Sequence, residues 1–194
     1  MTGIDLTAAP STLLAARVRL EIPRAEHAAA FCEGVAASMP ALTYVAWSLR
    51  LRDLVWALCF CEDDARSAAA GKDLAFHVFE IEGGAWVGRI DVHTIDFAAA
   101  RGEIGYVGNL RHAGRGLMRE AVLAVIGLCF RLGFERIEAM SDARNARALH
   151  FAQSLGMTRE GLLRRHERDP QGEFCDMVLY ASLNPGAAPD APAA

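Results

Sequence analysis

The stretch RHAGRGLM, residues 111–118, sets two glycines and two arginines between an apolar strand-like run and an apolar helix-like run. Glycine at such a handover serves one of two ends. A tight turn with positive φ takes glycine because no Cβ obstructs it. A helix start with bare N–H groups attracts anions, and glycine lets a phosphate come close to them. Here the N–H groups of Gly114, Arg115, Gly116, Leu117 and Met118 can converge at a helix head, where the macrodipole contributes about half a positive charge. Arg111, Arg115 and Arg119 lie nearby in the chain. The stretch is no Walker P-loop, because no Gly-Lys-Ser/Thr follows Gly114 or Gly116. It is no dinucleotide fingerprint either, lacking the third glycine and the acidic residue after the next strand. On these residues alone a pyrophosphate site and a plain turn both stand.

Other chemistry-bearing residues are sparser. His77 and His93 fall in strand-like runs without metal-ligand partners, and His112 abuts the glycine stretch. The five cysteines, Cys32, Cys59, Cys61, Cys129 and Cys175, are scattered, and no second pair follows the Cys59-x-Cys61 step at zinc spacing. No metal site is expected. Scattered thiols inside apolar runs suit a reducing compartment. No basic-then-apolar leader opens the chain and no apolar run reaches a membrane span, so a cytoplasmic location and no membrane partner are expected. The 194 residues carry a net charge of −4 and are 53% hydrophobic. That composition excludes global disorder and argues against a nucleic-acid groove.

The elements that must position the loop follow from periodicity. Residues 1–15 and the Pro/Ala-rich 184–194 show none and are expected to be mobile ends, leaving one domain over 16–183. ARVRLEI alternates and predicts a first strand, stopped by Pro23; RAEHAAAFCEGVAAS predicts a helix. A second helix ends at Gly71, with Leu51, Leu54, Val55 and Leu58 as its apolar stripe. LAFHVFEI and AWVGRIDVHTI form a hairpin across Glu82, Gly83 and Gly84. EIGYVGNL is a fourth strand, in which Gly105 and Gly108 suggest a bulge. Beyond the glycine stretch, Leu117, Ala121, Val125, Leu128 and Leu132 share one helical face ended by Gly133. FERIEAMS is a fifth strand, ARNARALHFAQSL a helix closed by Gly156, and MTREGLLRRHER with EFCDMVLYAS a closing hairpin turned at residues 169–172. The order is β-α-α-β-β-β-α-β-α-β-β, an α/β (α+β) chain.

Taken together, EIGYVGNLRHAGRGLMREAV, NARALHFAQSLGMTREGLLR and GEFCDMVLY resemble the GNAT superfamily of acetyl-CoA-dependent N-acetyltransferases, and within it the RimJ/RimL-like branch that acetylates ribosomal-protein N-termini. The resemblance spans about residues 17–183. It implies a mixed, mostly antiparallel sheet splayed between the fourth and fifth strands, which hold the pantetheine arm. It implies acetyl-CoA as co-substrate on Leu110, Arg111, Gly114, Arg115, Gly116, Leu117, Met118 and Asn145, with Asn145 equally suited to capping its helix. It implies that Glu103 assists deprotonation of a primary amine. The acceptor is a protein N-terminus, a polyamine or an antibiotic amine; a homodimer is left open.

Two departures stand out. Ala113 replaces the Gln or Arg usual before the first loop glycine, which matters little to a site built from N–H groups. Ala152 and Ala148 occupy the positions of the usual tyrosine and serine that would protonate the leaving thiolate. A non-catalytic acyl-CoA-binding module is therefore the alternative. On the acceptor side, the acidic run Glu62, Asp63, Asp64 and the loop residues Met39, Pro40, Tyr44 and Trp47 are the candidates.

Overall fold

Eight strands make one sheet: β1 (Thr12–Leu14), β2 (Val18–Glu21), β3 (Leu74–Glu80), β4 (Trp86–Asp96), β5 (Arg101–Gly108), β6 (Arg136–Asp142), β7 (Thr158–Arg168) and β8 (Phe174–Leu183). The helices are α1 (Ala28–Ser38), α2 (Leu54–Ala69), α3 (Leu117–Arg131) and α4 (Ala146–Ser154). This computed structural model describes residues 3–45 and 53–186. The strand order is β1-β2-β3-β4-β5-β6-β8-β7. Every pairing is antiparallel except β5–β6, whose parallel partners are joined through α3. The mixed, mostly antiparallel sheet expected from the sequence is present.

Strand alternation splits the core in two. Leu74, Phe76 and Val78 of β3 join Ile90, Val92 and Ile104 under the α3 stripe of Leu117, Ala121, Val125 and Leu128. On the other face Phe79, Trp86 and Val107 meet Phe31 and Val35 of α1 and Ala57 and Cys61 of α2. Because both faces are covered, six of the seven β3 residues are buried and the strand reads as a nearly continuous apolar run. His77, in that strand, lies fully buried; burial holds its imidazole well below the ordinary value, so it stays neutral.

Three expectations need correction. The first residues are built onto the sheet: Thr12–Leu14 pair with β2, Leu6 is buried, and the Asp5 N–H donates to the Leu132 carbonyl at 3.2 Å. A three-residue edge strand is too short to show alternation. The α2 stripe is also displaced. Asp53 caps the helix by accepting from the Trp56 N–H at 2.8 Å, and Leu54 and Val55 in its first turn are exposed. Ala57 and Cys61, four apart and small, face the core with Leu58 partly buried beside them; Leu51 lies outside the described residues. Lastly, β4–β5 register runs without a break from Gly88↔Gly108 to His93↔Glu103, and the irregularity falls between His93 and Asp96. Gly105 and Gly108 mark close approach instead: a Cβ would stand 3.1 Å from the Asp91 carboxylate at 105 and 3.1 Å from Met118 at 108.

Candidate active site

The glycine stretch is a turn and an open donor cradle at once. After a single 3₁₀ turn at Leu110–His112, Gly114 and Gly116 take φ of +78° and +75°, and Gly116 caps α3 in the left-handed conformation. The glycines are needed for that backbone. Internal bonds fix the approach. The Leu110 N–H donates to Ser38 Oγ at 2.8 Å and the Arg111 N–H to Asn109 Oδ1 at 3.0 Å, while Asn109 Nδ2 holds the Trp86 carbonyl at 3.0 Å. Among the described residues, the N–H groups from Gly114 to Met118 have no protein acceptor, and a Cβ at Gly114 would meet open space. Five bare donors at the positive end of a 15-residue helix suit a doubly anionic group.

The arginines expected to help are engaged elsewhere. Arg111 pairs with Glu33, and Arg115 donates to Glu80 at 2.9 Å and lies 3.0 Å from His112 Nδ1. Arg119 donates to the Ser154 carbonyl at 2.8 Å. Arg17, which the sequence did not single out, clasps the loop from β2's approach: it donates to the Arg115 carbonyl at 3.0 Å and to Glu120 at 2.8 Å. Met118 seats the cradle on the sheet over Gly88 and Gly108. Gly88→Ala would place a Cβ 2.4 Å from Met118 Sδ and 2.5 Å from the Val107 carbonyl. We expect it to destabilise the fold by about 1–3 kcal/mol, read as a lowered Tm, with Met118→Ala in the same chain restoring only part because the carbonyl stays.

The sheet opens beside the loop. β5 and β6 pair only at Arg101↔Arg136, Gly102↔Ile137 and Glu103↔Glu138, then part, so Glu103 is the last paired residue before the splay. A cleft of 320 Å³ fills the opening, lined by Tyr44, Asp91, His93, Glu103, Tyr106 and Asn145 among others. Register puts His93 directly across from Glu103. Asp91, two residues before His93, shares its face and lies 3.5 Å from its Nε2. Burial pushes the Glu103 carboxyl above its ordinary value; His93 opposes this, and the carboxylates of Glu167, Glu138 and Asp91 add to it. A carboxyl so placed has raised basicity and a neighbouring imidazole, which fits proton acceptance.

Asn145 does cap α4, its Oδ1 accepting from the Ala148 N–H at 3.1 Å, and it also lines the cleft. Leu110 to Met118 do not line this cleft. The acidic run splits: Asp63 pairs with Arg66, and Asp64 binds the buried Arg89 at 2.8 Å, which also holds Asp91. It therefore steadies the cleft wall from behind and does not line it. Tyr44 does line it, Met39 and Pro40 form a 3₁₀ turn after α1, and Trp47 lies outside the described residues. Asp91, Tyr106 and Glu167 were missed. Each reads in sequence as an ordinary strand residue, and only register and the splay bring them to Glu103.

Ala148 lines the cleft and Ala152 is buried, with no hydroxyl at either place. The Tyr106 phenol is pushed up to about 12 by burial, with Tyr180 adding to the effect, and so stays protonated. Among the described residues no cluster suits a metal ion, and no helix is long and apolar enough to cross a membrane.

A family model, the acetyltransferase (GNAT) domain, matches residues 17–158. The chain belongs to the GNAT acetyltransferase family. A curated relative of this GNAT chain, the uncharacterized N-acetyltransferase p20 of Bacillus licheniformis, is 34% identical over 98 residues, which are 50% of this chain and 54% of that protein. The chain thus spans about half the length of that relative. The fold is shared with the microcin C7 self-immunity acetyltransferase MccE, solved with acetyl-CoA and AMP (TM-score 0.83, 20% identity, 92% of this chain and 99% of that one). It is shared also with RimL, the ribosomal L7/L12 α-N-protein acetyltransferase solved with coenzyme A (TM-score 0.80, 17% identity, 88% and 96%).

Proposed function

We propose that this GNAT chain is an acetyl-CoA-dependent N-acetyltransferase that moves an acetyl group to a primary amine, a protein or peptide N-terminus first among them. The observation that carries the reading is the pairing of five acceptor-free N–H groups at the head of α3 with an acid-lined cleft where β5 and β6 part. One end suits a pyrophosphate, the other an amine. Acetyl-CoA, when bound, supplies the thioester. Gly114 to Met118 hold its anionic end, Leu110 and Arg111 flank them, and the opened edges of β5 and β6 with Asn145 border the route to the cleft. Glu103 takes the amine's proton, directly or through water. The neutral nitrogen attacks in a ternary complex: the C–N bond forms, the C–S bond breaks, coenzyme A leaves as the thiolate, and the nitrogen's second proton passes to it to give the thiol. Holding both reactants in one cleft supplies most of the acceleration. Five free thiols support a cytoplasmic setting.

No side chain is required as acid, since thiols titrate near 8.5 and a thiolate leaves without strong help. Tyr106→Phe is therefore expected to change kcat less than about threefold, well short of the roughly 10²-fold or more of a general acid; steady-state kinetics checks this. The alanines at 148 and 152 favour one other reading, an acyl-CoA-binding module without turnover. Thiol release from acetyl-CoA over a panel of peptide, polyamine and aminoglycoside amines separates the two. Release above background with at least one amine, with matching acetylated product, is expected; binding of acetyl-CoA with no release for any of them supports the module.

A further inference from the structure

Of the arginines in the closing hairpin that have no carboxylate partner among the described residues, Arg159, Arg164, Arg165 and Arg168, two converge on one aromatic ring. The Arg165 guanidinium carbon lies 4.6 Å and that of Arg168 3.9 Å from the centre of the Phe174 ring, itself 48% exposed. One Arg168 N–H donates to the Gly172 carbonyl at 2.6 Å; the remaining side-chain donors of both residues meet no described acceptor. Three other arginines around the site are paired, Arg111 with Glu33, Arg115 with Glu80 and Arg144 with Asp142 and Asp169. Asp169 holds Arg144, and Asp176 accepts the Arg165 backbone N–H at 2.7 Å. Glu167 lines the cleft and Glu173 sits exposed in the turn.

The location gives this charge a use. Arg168 lines the same cleft as Asp91, Glu103 and Glu167. The cleft lining therefore joins several carboxylates with one guanidinium that pairs with none of them, in a chain whose net charge is −4. Along β8, Phe174 adjoins the cleft residue Cys175 and stands three residues from Met177, farther along the cleft wall, about 10 Å at roughly 3.3 Å per residue. That is the reach of two or three residues of an extended peptide. Stacking on an aromatic face orients a guanidinium and leaves its edge free for a carboxylate.

We infer that Arg165 and Arg168, carried on Phe174, form an anion clamp that selects acidic acceptors: a peptide whose α-amine enters the cleft while a carboxylate on its second, third or fourth residue docks at the clamp. The inference rests on the transferase reading for the amine end alone. Docking of the acidic side chain is measurable without turnover.

The test uses the full chain, loaded with coenzyme A for calorimetry and with acetyl-CoA for thiol release, and three peptides that begin with alanine and carry Glu, Gln or Lys at positions two to four. Calorimetry reads binding, and thiol release reads kcat/KM. The Glu peptide is expected to bind roughly tenfold tighter than the Gln peptide at low salt, with the preference shrinking as salt screens it. Arg165→Gln with Arg168→Gln should collapse the Glu-over-Gln ratio in both readouts. Arg165→Glu with Arg168→Glu should turn the preference toward the Lys peptide, which a structural role alone would not do. Equal binding of Glu and Gln peptides by the unaltered chain, or a preference that survives the double Gln variant, overturns the clamp. A Glu preference in calorimetry with no thiol released supports the clamp and counts against the transferase reading.

Discussion

Replacing Glu103 by Gln is expected to lower kcat/KM for the acceptor by roughly 10- to 10³-fold at neutral pH, the range of a general base or somewhat below it. The variant keeps the shape of the cleft wall and removes the proton acceptor. Its effect is set by what surrounds the carboxylate. Burial raises the pKa of Glu103, and neighbouring acids raise it further against the pull of His93. A raised pKa makes the carboxylate a better base as long as it remains ionised, so the acid limb of the kcat/KM profile should lie above the ordinary glutamate range. The deficit of the Gln variant should shrink as pH rises and the amine loses its proton unaided. Acetyl-CoA affinity should change less than about twofold, because Glu103 sits at the splay and the bare N–H groups at the head of α3. Kinetics from pH 6 to 9 check this. Equal rates for the two forms across that range would remove Glu103 from the chemistry.

The second large effect concerns the cradle. Arg115→Pro deletes one of the five donors and forces the ring into a turn held between two left-handed glycines. Hydrogen bonds to charged groups contribute about 1.5–3 kcal/mol each, so acetyl-CoA affinity should fall roughly 10- to 100-fold. Arg115→Ala keeps the N–H and loses the pairing with Glu80 and the contact with His112, and ion pairs at the surface contribute little. Its affinity should stay within about threefold. Calorimetry that finds the two variants equally weakened would mean the side chain, and not the backbone, holds the anion.

Much of this was legible in the sequence where a pattern is local. The α3 stripe from Leu117 to Leu132 is buried as its helical spacing requires, and Gly83 and Gly84 turn the β3–β4 hairpin with positive φ. The cradle showed in the glycines at 114 and 116, because positive φ and close approach both demand the missing Cβ. What did not show depends on register. Asp91 reads as a half-buried strand acid and Glu167 as one of a run of exposed strand residues, and nothing local says that they converge on Glu103. The Arg17 clasp joins residues 98 and 103 apart in the chain, and the β1 edge is local but only three residues long, too short to show a pattern. Leu54 and Val55 misled because periodicity marks an apolar stripe without saying which turn of the helix reaches the core.

The measurement that bears most directly on the account is a crystal structure of this chain with acetyl-CoA. The pyrophosphate is expected within hydrogen-bond distance of the N–H groups of Gly114 to Met118, the pantetheine arm between the parted edges of β5 and β6, and the thioester at the Glu103 end of the cleft. A complex in which the pyrophosphate lies away from that loop, or the thioester points out of the splay, would contradict it.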